Sequence, residues 1–354
     1  MASINFSRLG APTLSLSERA SVRVWLVAVA ALIFVMVLVG GATRLTESGL
    51  SITQWKPVTG VVPPMSAADW QAEFDRYKQI PQYSALNPDM TLAGFKTIFW
   101  WEWSHRLLAR VIGAAFILPG LWFWRRGALK GALGRQVAVA TGFLALEPIV
   151  GWWMVSSGLS ERTEVAQERL AVHLMIAAAT FGALIYAATG LGERERGSAA
   201  RAFPLAAAGF AALVYVQLGL GALVAGLRAG LVYETWPLMG SSFVPREAFG
   251  SPRSPFEDPA TAQFDHRTLA YAVVAFALVQ ALAALRSAPP ALARRALLVA
   301  GVATLQVGLG VATLLLAVPI PLALAHQATA LALFGLAVWH WKATLMEREP
   351  STHL

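Results

Sequence analysis

The chain has 354 residues, of which 56% are hydrophobic and 14% charged, with a net charge of +8 and no cysteine. Soluble domains run nearer a quarter charged, so a water-soluble protein is excluded. Without cysteine, neither disulfides nor thiolate-held metal is available, and any metal must be held by His, carboxylate or Met.

Runs of about 20 apolar residues are long enough to cross a bilayer. Eight are expected, at 22–42, 99–123, 136–157, 169–190, 204–226, 265–285, 295–317 and 321–341. The first is too long for a signal-peptide core and is followed by no small-residue cleavage site, so it reads as a retained helix. Pro319 and Pro321 mark a tight turn between the last two runs. Two connecting segments are long, 43–98 and 227–264, with amphipathic and proline-rich stretches. Loops of such length often carry function.

Basic residues in short loops set the orientation of a membrane protein. With both termini inside, the cytoplasmic set is Arg8, Arg19, Arg23, Arg125, Arg126, Lys130, Arg135, Arg194, Arg196, Arg201, Arg286, Arg294, Arg295, Lys342 and Arg348. It is accompanied by five acids, Glu18, Glu193, Glu195, Glu347 and Glu349. The positive charge is thus mostly a topology signal, and no nucleic-acid partner is expected.

The chain repeats itself in order. His105-Arg106-Leu107-Leu108-Ala109 opens the second run, and His266-Arg267-Thr268-Leu269-Ala270 opens the sixth. The fourth carries Leu170-Ala171-Val172-His173 and the eighth Leu324-Ala325-His326. The expected fold is all-α and integral to the membrane: eight transmembrane helices as two tandem pseudo-symmetric four-helix bundles, 1–197 and 198–354.

Four of the six histidines then lie at one depth, about 10 Å or less below the outer interface at about 1.5 Å of rise per residue. A single intramembrane histidine is often a packing hydrogen-bond partner. Two equivalent pairs favour metal ligation, and a pair facing one space suits two axial imidazoles on a heme iron. Copper and zinc also accept imidazole, but no further ligands accompany each pair. His340 and His353, at the cytoplasmic end and tail, are expected to be interfacial or solvated. Glu102 stands three residues before His105, where the second half has Gln263. It could manage protons, or it could be a surface carboxylate at a helix start. Arg106 and Arg267 suit heme propionates or snorkelling. Glu147, before Pro148, is a functional candidate as an intramembrane acid, or it satisfies backbone freed by the proline. A two-heme electron-transfer cytochrome and a transporter fit the same repeat.

Several motifs sharpen this reading: 40–51 (GGATRLTESGLS), 55–60 (WKPVTG), 99–106 (FWWEWSHR), 151–155 (GWWMV), 157–159 (SGL), 264–267 (FDHR) and 325–327 (AHQ). In this order the chain resembles the heme A synthase family, over nearly its whole length. The resemblance implies an oxidoreductase that converts the C8 methyl group of heme O to a formyl group, by successive hydroxylation, giving heme A for cytochrome c oxidase. It implies that His266 and His326 ligate a heme b cofactor that relays electrons. His105 and His173 line the site where heme O reacts, and Glu102 is the important carboxylate. It also implies the bacterial inner membrane, heme sites near the outer face, and the heme O synthase (protoheme farnesyltransferase) as a partner. Lacking cysteine, the chain is similar to the branch found in proteobacteria and mitochondria. Glu147-Pro148 stands where a Gln-Gly-like pair is expected, and Gln167-Glu168 where a Tyr is more usual.

Overall fold

The computed structural model describes residues 14–192, 202–246 and 248–347. Arg8, Arg194, Arg196, Arg201, Arg348, Glu193, Glu195, Glu349 and His353 lie outside them. The described residues are helical, with no named strand among them. Eight helices are long and apolar enough to span a bilayer: α1 (Leu16–Leu45), α4 (Leu92–Arg125), α5 (Gly131–Ser156), α6 (Gln167–Gly190), α7 (Ala202–Gly226), α9 (Pro259–Ser287), α10 (Pro290–Leu315) and α11 (Ile320–Met346). The protein is a multi-pass membrane protein.

Each helix lies where an apolar run was expected, and most extend beyond it. Hydropathy marks the stretch that meets lipid, whereas capping sets where the helix begins. Ser15 and Glu18 form a capping box for α1. Thr91 caps α4 through the Gly94 amide, and the helix begins at Leu92, seven residues before the expected start at 99. Asp258 caps α9 through the Thr261 amide, with Pro259 in the first turn. The long segments add three short helices, α2 (Ala67–Tyr77), α3 (Pro81–Leu86) and α8 (Ser254–Glu257). Phe74, Tyr77, Phe95 and Phe99 form an aromatic core that seats α2 on the first turns of α4.

α4 contains Pro119, which has no N–H to give to the carbonyl of Ala115 one turn earlier. The Trp25 indole of α1 donates to that carbonyl instead, at 2.9 Å. An orphaned polar group in lipid is thereby avoided, and α1 is fixed against α4.

In the first half, α1 packs on α4 and α6, and α5 packs on α6. In the second, α7 packs on α9 and α11, while α10 packs on both α9 and α11, closing a ring. α4 and α5, joined by the turn at 126–130, do not pack along their lengths, so the first half keeps an open seam. Between the halves, α6 meets α7 and α11, and α1 meets α11. The α6–α11 contact is reciprocal. Phe334 covers Gly182, where a Cβ would stand 2.9 Å from its ring, and Phe181 covers Gly335 at 2.8 Å. Small residues let helix backbones approach closely in lipid, where packing rather than hydrophobicity drives association. At one end of the bundle, Glu164 pairs with Arg44 at 2.7 Å and with Arg228, which also pairs with Glu47.

Candidate functional site

The four membrane histidines share one local construction. Each ring rests on a glycine of a neighbouring helix. A Cβ at Gly40 would stand 3.0 Å from the His105 ring, at Gly151 3.2 Å from His173, at Gly221 3.1 Å from His266 and at Gly310 2.9 Å from His326. Glycine inside a helix costs about 1 kcal/mol relative to alanine, and here the missing side chain makes room for an imidazole.

One turn before three of these glycines stands a polar side chain directed at the ring. Gln217 Nε2 lies 3.0 Å from His266 Nδ1 and donates to the His266 carbonyl at 2.9 Å. Gln306 Nε2 lies 3.3 Å from His326 Nε2. Glu147 Oε2 lies 2.8 Å from His173 Nδ1. Only the distance is that of an ion pair: the ring N–H is not aimed at the carboxylate, and both Nδ1 and the other oxygen are otherwise without partners. The His266 and His326 rings meet with centres 6.4 Å apart and planes nearly perpendicular, at 79°. No group of three or more His, Cys, Asp or Glu side chains able to hold a bare metal ion occurs among the described residues.

Glu102 differs from the surface carboxylate that its place in the sequence allowed. Because α4 begins at Leu92, Glu102 sits in the third turn, and it is 3% exposed. One carboxylate oxygen accepts from the Ser51 hydroxyl and the Ile52 amide, both at 2.8 Å. The other takes the Arg106 guanidinium at 2.6 and 3.0 Å. Arg106 also donates to the Ile52 and Gln54 carbonyls, and Arg110 to those of Lys56 and Pro57. Together these side chains strap the 51–57 loop over the His105 turn.

The second half straps its own loop with different chemistry. Arg267 donates to the Tyr233 and Thr235 carbonyls at 2.7 and 2.8 Å, and Gln263 donates to Tyr233 at 3.1 Å. Both arginines expected at propionates or in the headgroup layer are thus bonded to loop backbone.

His340 corrects an expectation. It is not solvated but 1% exposed. Its place near a helix end suggested solvent, but there Arg295 of α10 pairs with Glu347, the residue after α11, and His340 is buried close by. Gly40, Ser51 and Gly151 stood in the sequence only as parts of longer motifs, and Arg110, Gly221, Gly310 and the two glutamines were not singled out. The recurrent spacing of a polar residue four before a glycine, at 147 and 151, 217 and 221, and 306 and 310, was the available signal.

Residues 23–338 match the family described as cytochrome oxidase assembly protein, COX15-CtaA. This chain belongs to that family. Among COX15-CtaA relatives, the heme A synthase of Rhodopseudomonas palustris (strain BisA53) is 54% identical over 323 residues, 90% of this chain and 89% of that protein. The heme A synthase of Chelativorans sp. (strain BNC1) is 49% identical over 331 residues, 92% of each chain. That of Brucella ovis is 46% identical, again over 92% of each.

Proposed function

We propose that this protein is a heme A synthase, oxidising the C8 methyl group of heme O to a formyl group for cytochrome c oxidase. The reading divides the chain at about 197. Residues 1–197 hold the substrate heme between His105 and His173, and residues 198–354 hold a heme b cofactor between His266 and His326. The observation that carries it is the facing pair. Two imidazoles on opposite sides of one iron, each nitrogen about 2 Å from it, stand with ring centres about 6 Å apart. The 6.4 Å between His266 and His326 fits that arrangement. The lack of a third protein ligand among the described residues fits a metal whose other ligands come from a porphyrin.

When bound, heme b supplies an iron centre that accepts and passes on electrons. The chain's own residues do the rest. Gly40, Gly151, Gly221 and Gly310 seat the rings, and the glutamines and Glu147 orient them. Glu102, Arg106 and Arg110 hold the 51–57 loop over the first site and limit its access to water. The division of labour rests on two differences between the halves. The second half is a closed ring, suited to a permanent cofactor. The first has a seam between α4 and α5, suited to a lipid-soluble substrate that must come and go. The first also buries a carboxylate, Glu102, where the second has an amide, Gln263.

Arg19, Arg23, Arg125, Arg126, Lys130, Arg286, Arg294 and Lys342 lie at the helix ends away from the four histidines. The positive-inside rule then puts both termini in the cytoplasm of a bacterial inner membrane and the heme sites near the outer face. An open seam toward lipid also suits direct transfer from the farnesyltransferase that makes heme O. Expression with a heme O supply, followed by heme extraction, tests the function. Heme A should form with the wild type and not with His105→Ala or His173→Ala. Its absence with the wild type overturns the reading, as does its formation by both variants.

A further inference from the structure

Glu147 is the only acid in α5. Acids in lipid-spanning helices are costly and persist where they have a partner or a task. Pro148 leaves the Leu144 carbonyl without its helical N–H, but a carboxylate accepts hydrogen bonds and cannot satisfy a carbonyl. The nearest group of opposite character is His173 Nδ1, at 2.8 Å. Gly151, one turn on, lies under the same ring, 3.2 Å from Cε1 to a Cβ placed there. The imidazole is therefore held between a carboxylate and a bare stretch of helix backbone.

The other three histidines are arranged differently. Gln217 and Gln306 place neutral amides at His266 and His326. Four residues before Gly40, beside His105, the chain has Met36, which is part of the apolar packing. Among the described residues, the His173 ring is the one of the four that meets a carboxylate.

We propose that Glu147 is the positioning residue of the substrate site: its carboxylate holds the Nδ1 proton of His173, so that Nε2 presents a fixed, electron-rich lone pair to the substrate's iron. This rests on the reading of His173 as an axial ligand in the first half. A histidine that binds metal through one nitrogen commonly gives the proton on the other to a carboxylate, which fixes the tautomer and raises ligand basicity. Turning the ring so that the N–H points at Oε2 would complete this bond, and metal binding at Nε2 would supply the reason to turn. His105, with no such partner, is the weaker donor of its pair. The first half is thus built with one strong and one weak axial imidazole.

The test uses the purified full-length protein loaded with heme O and heme b. Redox titration is followed by visible spectroscopy, and heme O affinity is measured separately. His173→Ala identifies the signal of the first site by its loss. In Glu147→Gln, which copies the amide of the other half, and in Glu147→Leu, that signal should titrate at a higher potential. Heme O should also bind roughly tenfold more weakly. The heme held by His266 and His326 should titrate as in the wild type, which also reports that the variants are folded. Wild-type potential and affinity at the first site in Glu147→Gln overturn the proposal and leave the proposed function standing. A first-site spectrum unchanged by His173→Ala overturns the site assignment, and this proposal with it.

Discussion

Gln327, the residue after His326, fills the space over Gly41, the residue after the glycine beneath His105. A Cβ on Gly41 would stand 1.9 Å from Gln327 Oε1, and Gln327 Nε2 donates to the Val37 carbonyl at 3.0 Å. The two candidate sites therefore share one turn each of α1 and α11. We expect Gly41→Ala to expel the Gln327 amide and lower stability by about 1–2 kcal/mol, read as thermal unfolding in detergent. Gln327→Ala removes the obstruction. The double variant should thus lose less than the sum of the single losses, and strict additivity would refute the contact.

Glu102→Ala should release the 51–57 loop. The carboxylate is buried and bonded to Ser51, Ile52 and Arg106, and breaking a buried ion pair costs about 3 kcal/mol. Faster proteolysis within that loop and loss of heme A formation are expected, with heme b retained. Gln263→Ala, which removes only a neutral hydrogen bond to Tyr233, should leave the 51–57 loop as resistant as in the wild type.

Trp25 and Pro119 should behave as a coupled pair. Trp25→Phe leaves the Ala115 carbonyl without a donor, at a cost of about 1–3 kcal/mol. In a Pro119→Ala background the helix supplies its own N–H, so the same change should cost less. Equal costs in the two backgrounds would show that the indole contributes packing alone.

The segment that carries α2 has its own pH dependence. Burial alone would raise the Glu73 carboxyl, but bonds from Arg76 and Lys56 prevail and hold it below the ordinary 4.5. Its contribution is complete above pH 4.5 and is lost as pH falls through the lowered value. Burial pushes the Tyr77 hydroxyl from 10 up to about 12, against the donating Asn87 amide. Its contribution is complete below pH 10 and fades as pH rises toward 12. Trp70, packed edge-on against Phe99, is one fluorescent reporter, read as the difference between the wild type and a Trp70→Phe control. Glu73→Gln should flatten the acid limb of its profile and Tyr77→Phe the alkaline limb.

The eight spans and the order of the four histidines were legible because a lipid-facing helix must be apolar over a set length. The ends were less so: Thr91 starts α4 in a stretch where hydropathy has already fallen. The local surroundings of the site were mostly hidden. Nothing in the sequence tells which glycine lies under which ring, because that depends on packing between helices far apart in the chain. The partnership of Glu147 with His173 is of the same kind. Arg106 and Arg267 adjoin the histidines in sequence, yet both bond carbonyls of loops whose path no periodicity reveals. His340 was misjudged because burial at a helix end depends on what covers it.

The glycines under the four imidazoles also constrain how such proteins can diverge. A methyl group at any of these positions would press on a ring edge, so the imidazole would have to shift to admit it. Sequence change near the histidines should collect on the lipid-facing sides of the same helices and spare glycine and histidine together. A descendant with alanine at one of these positions would mark a lineage in which the neighbouring imidazole has moved.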